Sequence, residues 1–237
     1  MSALLREMQL LMSQDAPASP LQMIGTPAAY NVSVSAGYTF TVASVQPGDQ
    51  ILIAAVHRMS SGNAAALTFT NNQSTTARTP GGYVDGGVVL QSAVMTAVNT
   101  GSIDCTVGVP GAGSLYLVVE QYRGGTLMPD AGNTHGGTMQ RAAGKTPFAL
   151  GNCNISARGL AMLFAYNGTF SAGTDADMQL NNGGAFTLDA DTTFASTRHV
   201  DVWRTMSNDA FAQSDLSIQT VTTADATILY NFAPYTY

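Results

Sequence analysis

The side chains best suited to chemistry are few and far apart in this sequence. The three histidines are His57, His135 and His199. His57 and His199 fall in strand-like segments, where an imidazole usually packs structurally. His135 lies in DAGNTHGGT, a segment that we expect to form an exposed loop and in which a lone histidine is a weak metal signal. The histidines therefore predict neither a catalytic site nor a metal site.

Four aspartates form two Asp-Ala-Asp pairs, Asp175 with Asp177 and Asp189 with Asp191. Oxygen-rich loops of this kind can hold Ca²⁺, which takes about six to eight oxygen ligands. The alternative is that alternate aspartates simply line the solvent-facing side of strands or turns. Since the ligand count is short, the sequence leaves both interpretations open.

Catalytic motifs are missing from the rest of the chain. The segment AAGKT at 142–146 is similar to a phosphate-binding loop, but Met139 stands where that motif needs glycine. No HExxH or GxSxG is present. Glu120 is the one glutamate in the strand-rich body, and nothing in the sequence pairs it with a second acid. We therefore expect a protein that is not an enzyme, with no catalytic residues and no cofactor.

The composition decides the fold class. Of 237 residues, 45% are hydrophobic and only 10% are charged, with a single lysine, Lys145. Lysine and glutamate normally cover the exposed face of amphipathic helices, so their scarcity favours strands. The net charge of −6 and the scattered basic residues argue against nucleic-acid binding. No run approaches the ~20 apolar residues that span a bilayer.

From Tyr30 onward the pattern is one of short strands separated by Gly, Pro and Asn turns. YNVSVSAGYTFTVASV alternates with a period of two, and PGD at 47–49 turns into the apolar run ILIAAVH. About twelve such strands at regular spacing are typical of a sandwich or barrel. The sequence predicts an all-β fold, a jelly-roll-like antiparallel β-sandwich with a Gly-rich loop at 124–146.

A weak internal repeat divides the strand region into two halves. Thr106-Val107 matches Thr220-Val221 at an offset of 114, and ILIAAVH lies over LAMLFAY at 160–166. VMTAVN at 94–99 lies over VWRTMS at 202–207, whereas Tyr122 matches Tyr235 only at an offset of 113. These identities predict two Greek-key-like halves that together form one sandwich, although chance similarity between β motifs is the alternative.

The N-terminus differs from the rest of the chain. Residues 2–13 predict a short helix with a narrow apolar stripe, followed by a Pro-containing linker. The stripe residues, which we predict to attach the protein to a partner, are Leu4, Leu5, Met8, Leu11 and Met12. The alternative is that the helix folds back onto its own sandwich. We divide the chain into a tether at 1–28 and a β-sandwich domain at 29–237.

The bonding state of the two cysteines and the role of the single tryptophan are not decided by their spacing. Cys105 and Cys153 both fall in strand-like segments, where buried free thiols are the simpler interpretation and one disulfide is the alternative. Trp203 alternates only partly with its valine neighbours, and we expect it to pack in the core rather than to stack on a sugar.

The segment VVEQYRGG at 118–125 resembles β-sandwich proteins of tailed-bacteriophage particles. In those proteins PGDQILIAAVH corresponds to an early strand and LAMLFAY to its counterpart in the second half. The resemblance covers roughly residues 40–235, is one of overall pattern, and carries over no functional residues. It implies a virion protein of the capsid-decoration, head-fibre, spike or tail-accessory type.

These observations predict a non-enzymatic structural protein located in the virion. Its expected partners are other capsid or tail proteins and further copies of itself in a symmetric array, with no nucleic acid and no membrane. The alternative function is a lectin-like receptor-binding module that recognises host surface glycans through loops such as 124–146 and 171–186. A polysaccharide-cleaving enzyme is disfavoured because no acid/base pair is visible.

Overall fold

The computed structural model describes residues 20–155, 158–167, 179–180, 186–194, 198–207 and 211–237. Within them the chain forms antiparallel sheets in a sandwich-like arrangement, which confirms the predicted all-β class. The strands are β1 (Gln22–Val34), β2 (Gly37–Val45), β3 (Gln50–Met59), β4 (Thr68–Asn71), β5 (Gly82–Asp85), β6 (Val88–Thr96), β7 (Gly101–Gly108), β8 (Gly113–Arg123), β9 (Met128–Pro129), β10 (His135–Ile155), β11 (Gly159–Asn167), β12 (Gln179–Leu180), β13 (Thr187–Phe194), β14 (Arg198–Ser207) and β15 (Phe211–Thr236). A 3-10 turn spans Ala131–Asn133. None of the helical structure in these ranges is long and apolar enough to cross a membrane.

The first half of the chain is a jelly roll. One sheet has the order β1-β8-β3-β6-β5 and the other the order β2-β7-β4. The first strand, β1, pairs with the last, β8, and the second, β2, pairs with the seventh, β7, as in a jelly roll. The one difference is that β5 lies beside β6 rather than beside β4. Eight strands therefore suffice for a complete two-sheet unit before residue 124.

The second half repeats this order. Its sheet has the order β10-β15-β11-β14-β13. If the five strands of each sheet are counted in chain order, both this sheet and β1-β8-β3-β6-β5 read first, last, second, fourth, third. The long strands β10 and β15 each correspond to two strands of the first half. Residues 144–155 of β10 pair with residues 211–220 of β15, as β2 pairs with β7. In the same way β12 pairs with β15 as β4 pairs with β7. The described strands of the two halves therefore repeat the same order, as predicted, but the first half is already a complete jelly roll of its own. The second half, called here the second jelly roll, follows that order within one seven-stranded sheet.

The register of the repeat differs from the predicted offsets by one or two residues. In β3 the side chains facing the first jelly roll's own interior are those of Ile51 and Ile53, and their equivalents in β11 are Ala161 and Leu163, an offset of 110. Because β3–β8 and β11–β15 pair in matching registers, β8 maps onto β15 at 113, which aligns Tyr122 with Tyr235. An offset of 114 would have turned every side chain to the opposite face.

The three central strands of the first half's five-stranded sheet, β3, β6 and β8, are buried on both faces. Alternate residues of β3 point to opposite sides, so Ile51 and Ile53 enter the core of the first jelly roll while Leu52 and Val56 enter a second core. The second core lies between the two halves and includes Met162, Phe164, Val202 and Tyr235 of the second half. A third core, with Leu163, Trp203 and Phe232, lies on the far face of the second half's sheet.

This layering explains why residues 51–56, ILIAAV, are apolar without alternation. A strand covered on both faces needs buried side chains at every position. The core between the halves, called here the shared core, makes the two jelly rolls into one body.

Three expectations about chain segments need correction or lie outside the structure's description. β1 begins at Gln22 and pairs with β8, so residues 22–28 are strand rather than tether. The predicted loop at 124–146 contains β9, the 3-10 turn and the start of β10, because this segment pairs with β15. The predicted helix at 2–13 falls outside the described residues.

Candidate functional site

The strongest cluster of chemically active side chains lies on β13 and β14, at the edge of the second half's sheet. Asp191 and Asp201 are direct partners across the two strands, and His199 lies two residues before Asp201 on the same face. His199 Nε2 is 3.1 Å from Asp201 Oδ1 and also contacts Asp191. One ligand atom from each of the three residues lies within 4.8 Å of the other two.

The cluster is buried at its base and open at its rim. The Asp201 side chain is 0% exposed, whereas His199 and Asp191 are 17% and 21% exposed. Val200 and Val202 point into the shared core, so the cluster lies on the opposite face of the sheet, the side that also carries Trp203. Solvent reaches the two rim residues but not the carboxylate beneath them.

The charges of the cluster depend on one another. Burial raises the pKa of Asp201 to about 7, His199 partly offsets that effect, and Asp191 raises the pKa further. For His199, burial disfavours the imidazolium, but Asp201 and Asp191 outweigh it and raise the pKa. The second oxygen of Asp201, Oδ2, is buried and accepts no hydrogen bond from the described residues. One imidazole nitrogen and two carboxylates are a donor set suited to a divalent cation.

A second polar cluster lies between the two jelly rolls. Arg204 of β14 forms a two-pronged ion pair with Asp189, at 3.0 and 3.2 Å, and is 3.6 Å from Glu120 of β8. Tyr122 donates a 2.5 Å hydrogen bond to Glu120 Oε2. Burial raises the pKa of Glu120 well above its usual value, and Asp189 raises it further. The expectation that no acid lies near Glu120 was wrong, because the acid comes from the other half of the chain.

This second cluster is suited to holding the halves together rather than to meeting a substrate. The side chains of Glu120 and Asp189 are 0% and 2% exposed. Two carboxyl groups that face one arginine share its charge, and burial favours a proton on one of them.

A polar groove opens where the two halves meet near one end of β1 and β13. Asn31 of β1 donates a hydrogen bond to the Thr193 carbonyl oxygen of β13. The groove has a volume of about 560 Å³ and is lined by Asn31, Ser33, Arg58, Met59, Ser60, Ser114 and Thr193. Amide, hydroxyl and guanidinium groups on an open wall are suited to a polar ligand.

The other candidate residues are distributed as follows. The attachment residues Leu4, Leu5, Met8, Leu11 and Met12, together with Asp175 and Asp177, lie outside the described residues. Asp189 is held by Arg204 and faces away from Asp191, so these two do not converge on one calcium ion.

The histidines occupy three different environments. His57 lies in strand β3, as predicted, and is fully buried, which lowers its pKa. His135 is a half-buried residue of β10 paired with Phe232, so the prediction of an exposed loop was wrong. His199, which was expected to be an isolated structural imidazole, faces two carboxylates.

Cys105 and Trp203 agree with the simpler interpretation of each. Cys105 is a buried free thiol and therefore is not bonded to Cys153. Burial raises its pKa to about 12, and Asp104 adds to the effect. Trp203 is 1% exposed and packs in the third core, as predicted. AAGKT lies within the extended strand β10, so it forms no phosphate-binding loop.

Sequence reasoning missed Asp201, although its signal was present. His199-Val200-Asp201 places the histidine and the acid on the same face of one strand, and Asp191 lies on the preceding strand. The sequence did not show which residues of β13 pair with which residues of β14. A bulge between Leu188 and Ala190 shifts that register and places Asp191 opposite Asp201.

Comparisons with family models, with curated proteins and with solved structures found no match for this chain.

Proposed function

We propose that this chain is a non-enzymatic structural protein of a tailed-bacteriophage particle, of the capsid-decoration, head-fibre, spike or tail-accessory type. The observation that carries the proposal is the duplicated jelly roll, whose two copies share a fully buried core. Jelly rolls recur as building blocks of viral capsids. A body of two fused copies is a rigid unit suited to repetition on a symmetric surface.

The described surface supports a body that faces solvent. Its exposed large hydrophobic residues are Val84, Val98 and Met128, which are only 44–49% exposed. Glu120 and Cys105 are buried in packed layers, out of contact with solvent. These features are suited to a stable body that faces solvent and binds no substrate.

Attachment is proposed to come from the N-terminal segment, through Leu4, Leu5, Met8, Leu11 and Met12. A short amphipathic helix buries its apolar stripe against a partner more readily than it persists alone. Capsid or tail proteins of the same particle are the proposed partners.

The test is quantitative mass spectrometry of virus particles purified on a density gradient. We expect the protein to co-purify with the particles at a copy number that matches a symmetric site and to resist a high-salt wash. Its absence from the particles, with recovery only in the free lysate fraction, would refute a virion role.

A variant lacking residues 2–13 tests the mode of attachment. We expect the deletion to abolish incorporation while the body still folds. The matched control keeps the helix and changes its polar side, Gln9→Ser, which should incorporate normally. Normal occupancy of the deleted protein would show that this segment is not the anchor.

The polar groove favours a second candidate, recognition of host surface glycans. Its hydroxyl, amide and guanidinium groups, including Ser60 and Arg58, can pair with sugar hydroxyls. A glycan array with the purified protein tests this function. Binding that is lost on Arg58→Ala and kept in Ser102→Ala, an exposed position on β7, would support a receptor-binding role. No reproducible binding would leave the structural role as the better explanation.

A further inference from the structure

The pairing of Asp191 with Asp201 brings two carboxylates together, and the His199 imidazole, which contacts both, offsets their repulsion only while it is protonated. They face each other directly across β13 and β14, on the same side of the sheet. Like charges at directly opposed positions of an antiparallel pair destabilise it. A cation held between them would turn that repulsion into attraction.

The burial of the Asp201 side chain is a second, independent reason to expect a bound cation. Its side chain is 0% exposed, and its Oδ2 receives no hydrogen bond from the described residues. A carboxylate oxygen withdrawn from water without a hydrogen-bond donor costs free energy that a bound ion would recover. The other oxygen of the same carboxylate, Oδ1, is 3.1 Å from His199 Nε2, and one oxygen of the Asp201 carboxylate lies within 4.8 Å of a ligand atom of His199 and of Asp191.

We propose that Asp191, His199 and Asp201 bind one divalent first-row transition-metal ion, of the zinc or manganese class, at the edge of the second jelly roll. This site is independent of the proposed virion role and of the calcium hypothesis for the Asp-Ala-Asp pairs. The imidazole is what separates the two, because Ca²⁺ prefers an all-oxygen shell whereas zinc and manganese accept imidazole nitrogen.

Three protein ligands leave room for water or another small ligand. The partly exposed side chains of Asp191 and His199 give the ion a route from solvent, while Asp201 closes the site from beneath. Because β13 is the edge strand of its sheet, an ion shared with β14 would hold that edge in place.

The experiment uses the full-length protein, first stripped of metal by a chelator and then desalted. Zn²⁺, Mn²⁺, Co²⁺, Ca²⁺ and Mg²⁺ are added separately, and binding is measured by calorimetry and by metal analysis after a second desalting. We expect about one Zn²⁺, Co²⁺ or Mn²⁺ per chain, an increase in thermal midpoint, and a visible absorption band for the Co²⁺ form.

Two ligand variants and two controls identify the site. His199→Gln and Asp201→Asn should each weaken binding by at least about 100-fold, more than loss of an outer-shell group does. Without metal, Asp201→Asn should still fold, because the amide keeps the shape of the side chain and removes one of the two opposed carboxylates. The controls His135→Gln and Asp85→Asn, which change a histidine and an aspartate elsewhere, should bind as wild type does.

Failure of wild type to retain any of the transition metals would overturn the proposal. So would binding of equal strength in wild type and His199→Gln, or binding of Ca²⁺ in preference to Zn²⁺ and Mn²⁺. If one ligand variant fails to fold, the other variant and the wild-type Co²⁺ spectrum still decide the outcome.

Discussion

Ser92 and Tyr235, which are 143 residues apart in sequence, join the two jelly rolls by a buried hydrogen bond of 2.7 Å between their hydroxyl groups. Ser92 lies on β6 of the first half, and Tyr235 lies near the end of β15. Both side chains are fully buried, and the Tyr235 ring packs in the shared core. A polar pair inside an apolar interface favours one arrangement of the two sheets, because buried hydroxyls are normally hydrogen-bonded and this bond forms only where the two side chains meet.

Removing one hydroxyl of this pair should destabilise the protein modestly. Tyr235→Phe keeps the ring but removes the hydrogen bond that the Ser92 hydroxyl makes with Tyr235, so we expect a loss of about 1 to 2 kcal/mol in the free energy of unfolding. Urea denaturation measures the change. In a double-mutant cycle with Ser92→Ala, the second substitution should cost less in the Tyr235→Phe background than alone. Fully additive effects would show that the two hydroxyls do not interact.

Asp49 should be a principal determinant of the first jelly roll's stability. Its buried carboxylate accepts hydrogen bonds from the Gln46 N–H, from Gln121 and from both prongs of Arg123, at 2.7 to 2.8 Å. Asp49→Asn places an amide group against these donors, and we expect a loss of about 2 kcal/mol. Urea unfolding checks this value, with the exposed Asp85→Asn as a control that should change stability by less than about 0.5 kcal/mol.

The same carboxylate should contribute to acid sensitivity. Burial opposes the charge of Asp49, but the hydrogen bonds from Arg123, Gln46 and Gln121 outweigh it and lower the pKa. A lowered pKa means that the stabilisation is present above the unfolded-state value of 3.8 and is lost as the pH falls through the folded-state value. The stability difference between wild type and Asp49→Asn should therefore shrink below about pH 4. A difference that stays constant down to pH 2 would contradict this assignment.

Glu120 should change the pH dependence of stability in the direction opposite to that of Asp49. Burial and the neighbouring Asp189 raise its pKa above the ordinary value of 4.5, so the folded protein favours the protonated group. Its stabilising contribution is complete below the unfolded-state pKa and is lost as the pH rises through the folded-state pKa. Glu120→Gln has no proton to lose, so its stability relative to wild type should rise between pH 4.5 and 8. Parallel stability curves for the two proteins over that range would rule out a raised pKa at Glu120.

The Cys105 thiol should be chemically silent in the folded protein. Burial, reinforced by Asp104, raises its pKa to about 12, so at pH 8 its thiolate fraction is lower by about 10³-fold than in the unfolded chain. In a Cys153→Ser variant, reaction with a thiol-specific disulfide reagent should be slower than in urea by at least that factor. Native and unfolded rates within about tenfold of each other would mean that the thiol is accessible.

The sequence predicted the fold class because the physical causes were local. ILIAAV at 51–56 is apolar at every position, which is typical of a strand covered on both faces, and the Gly, Pro and Asn turns delimit most of the strands. The half repeat was also visible. Its register was not, because the few identities at an offset of 114 outweighed the match of Tyr122 with Tyr235 at 113. That single match proved to be the structurally correct one.

The site was harder to predict because its parts meet only through pairing. His199 and Asp201 share a strand face, which alternation alone could show. Asp191 joins them through a cross-strand register displaced by a bulge. Glu120 meets Asp189 only because the sheets of the two halves pack face to face, and no local pattern in either strand specifies that packing.

The two jelly rolls form one body through the shared core, and differential scanning calorimetry of the full-length protein tests this union most directly. We predict a single transition whose calorimetric and van't Hoff enthalpies agree. Tyr235→Phe should shift that transition to lower temperature without splitting it. Two separate transitions, of which Tyr235→Phe moved only one, would show that the halves are independent domains and would contradict the account.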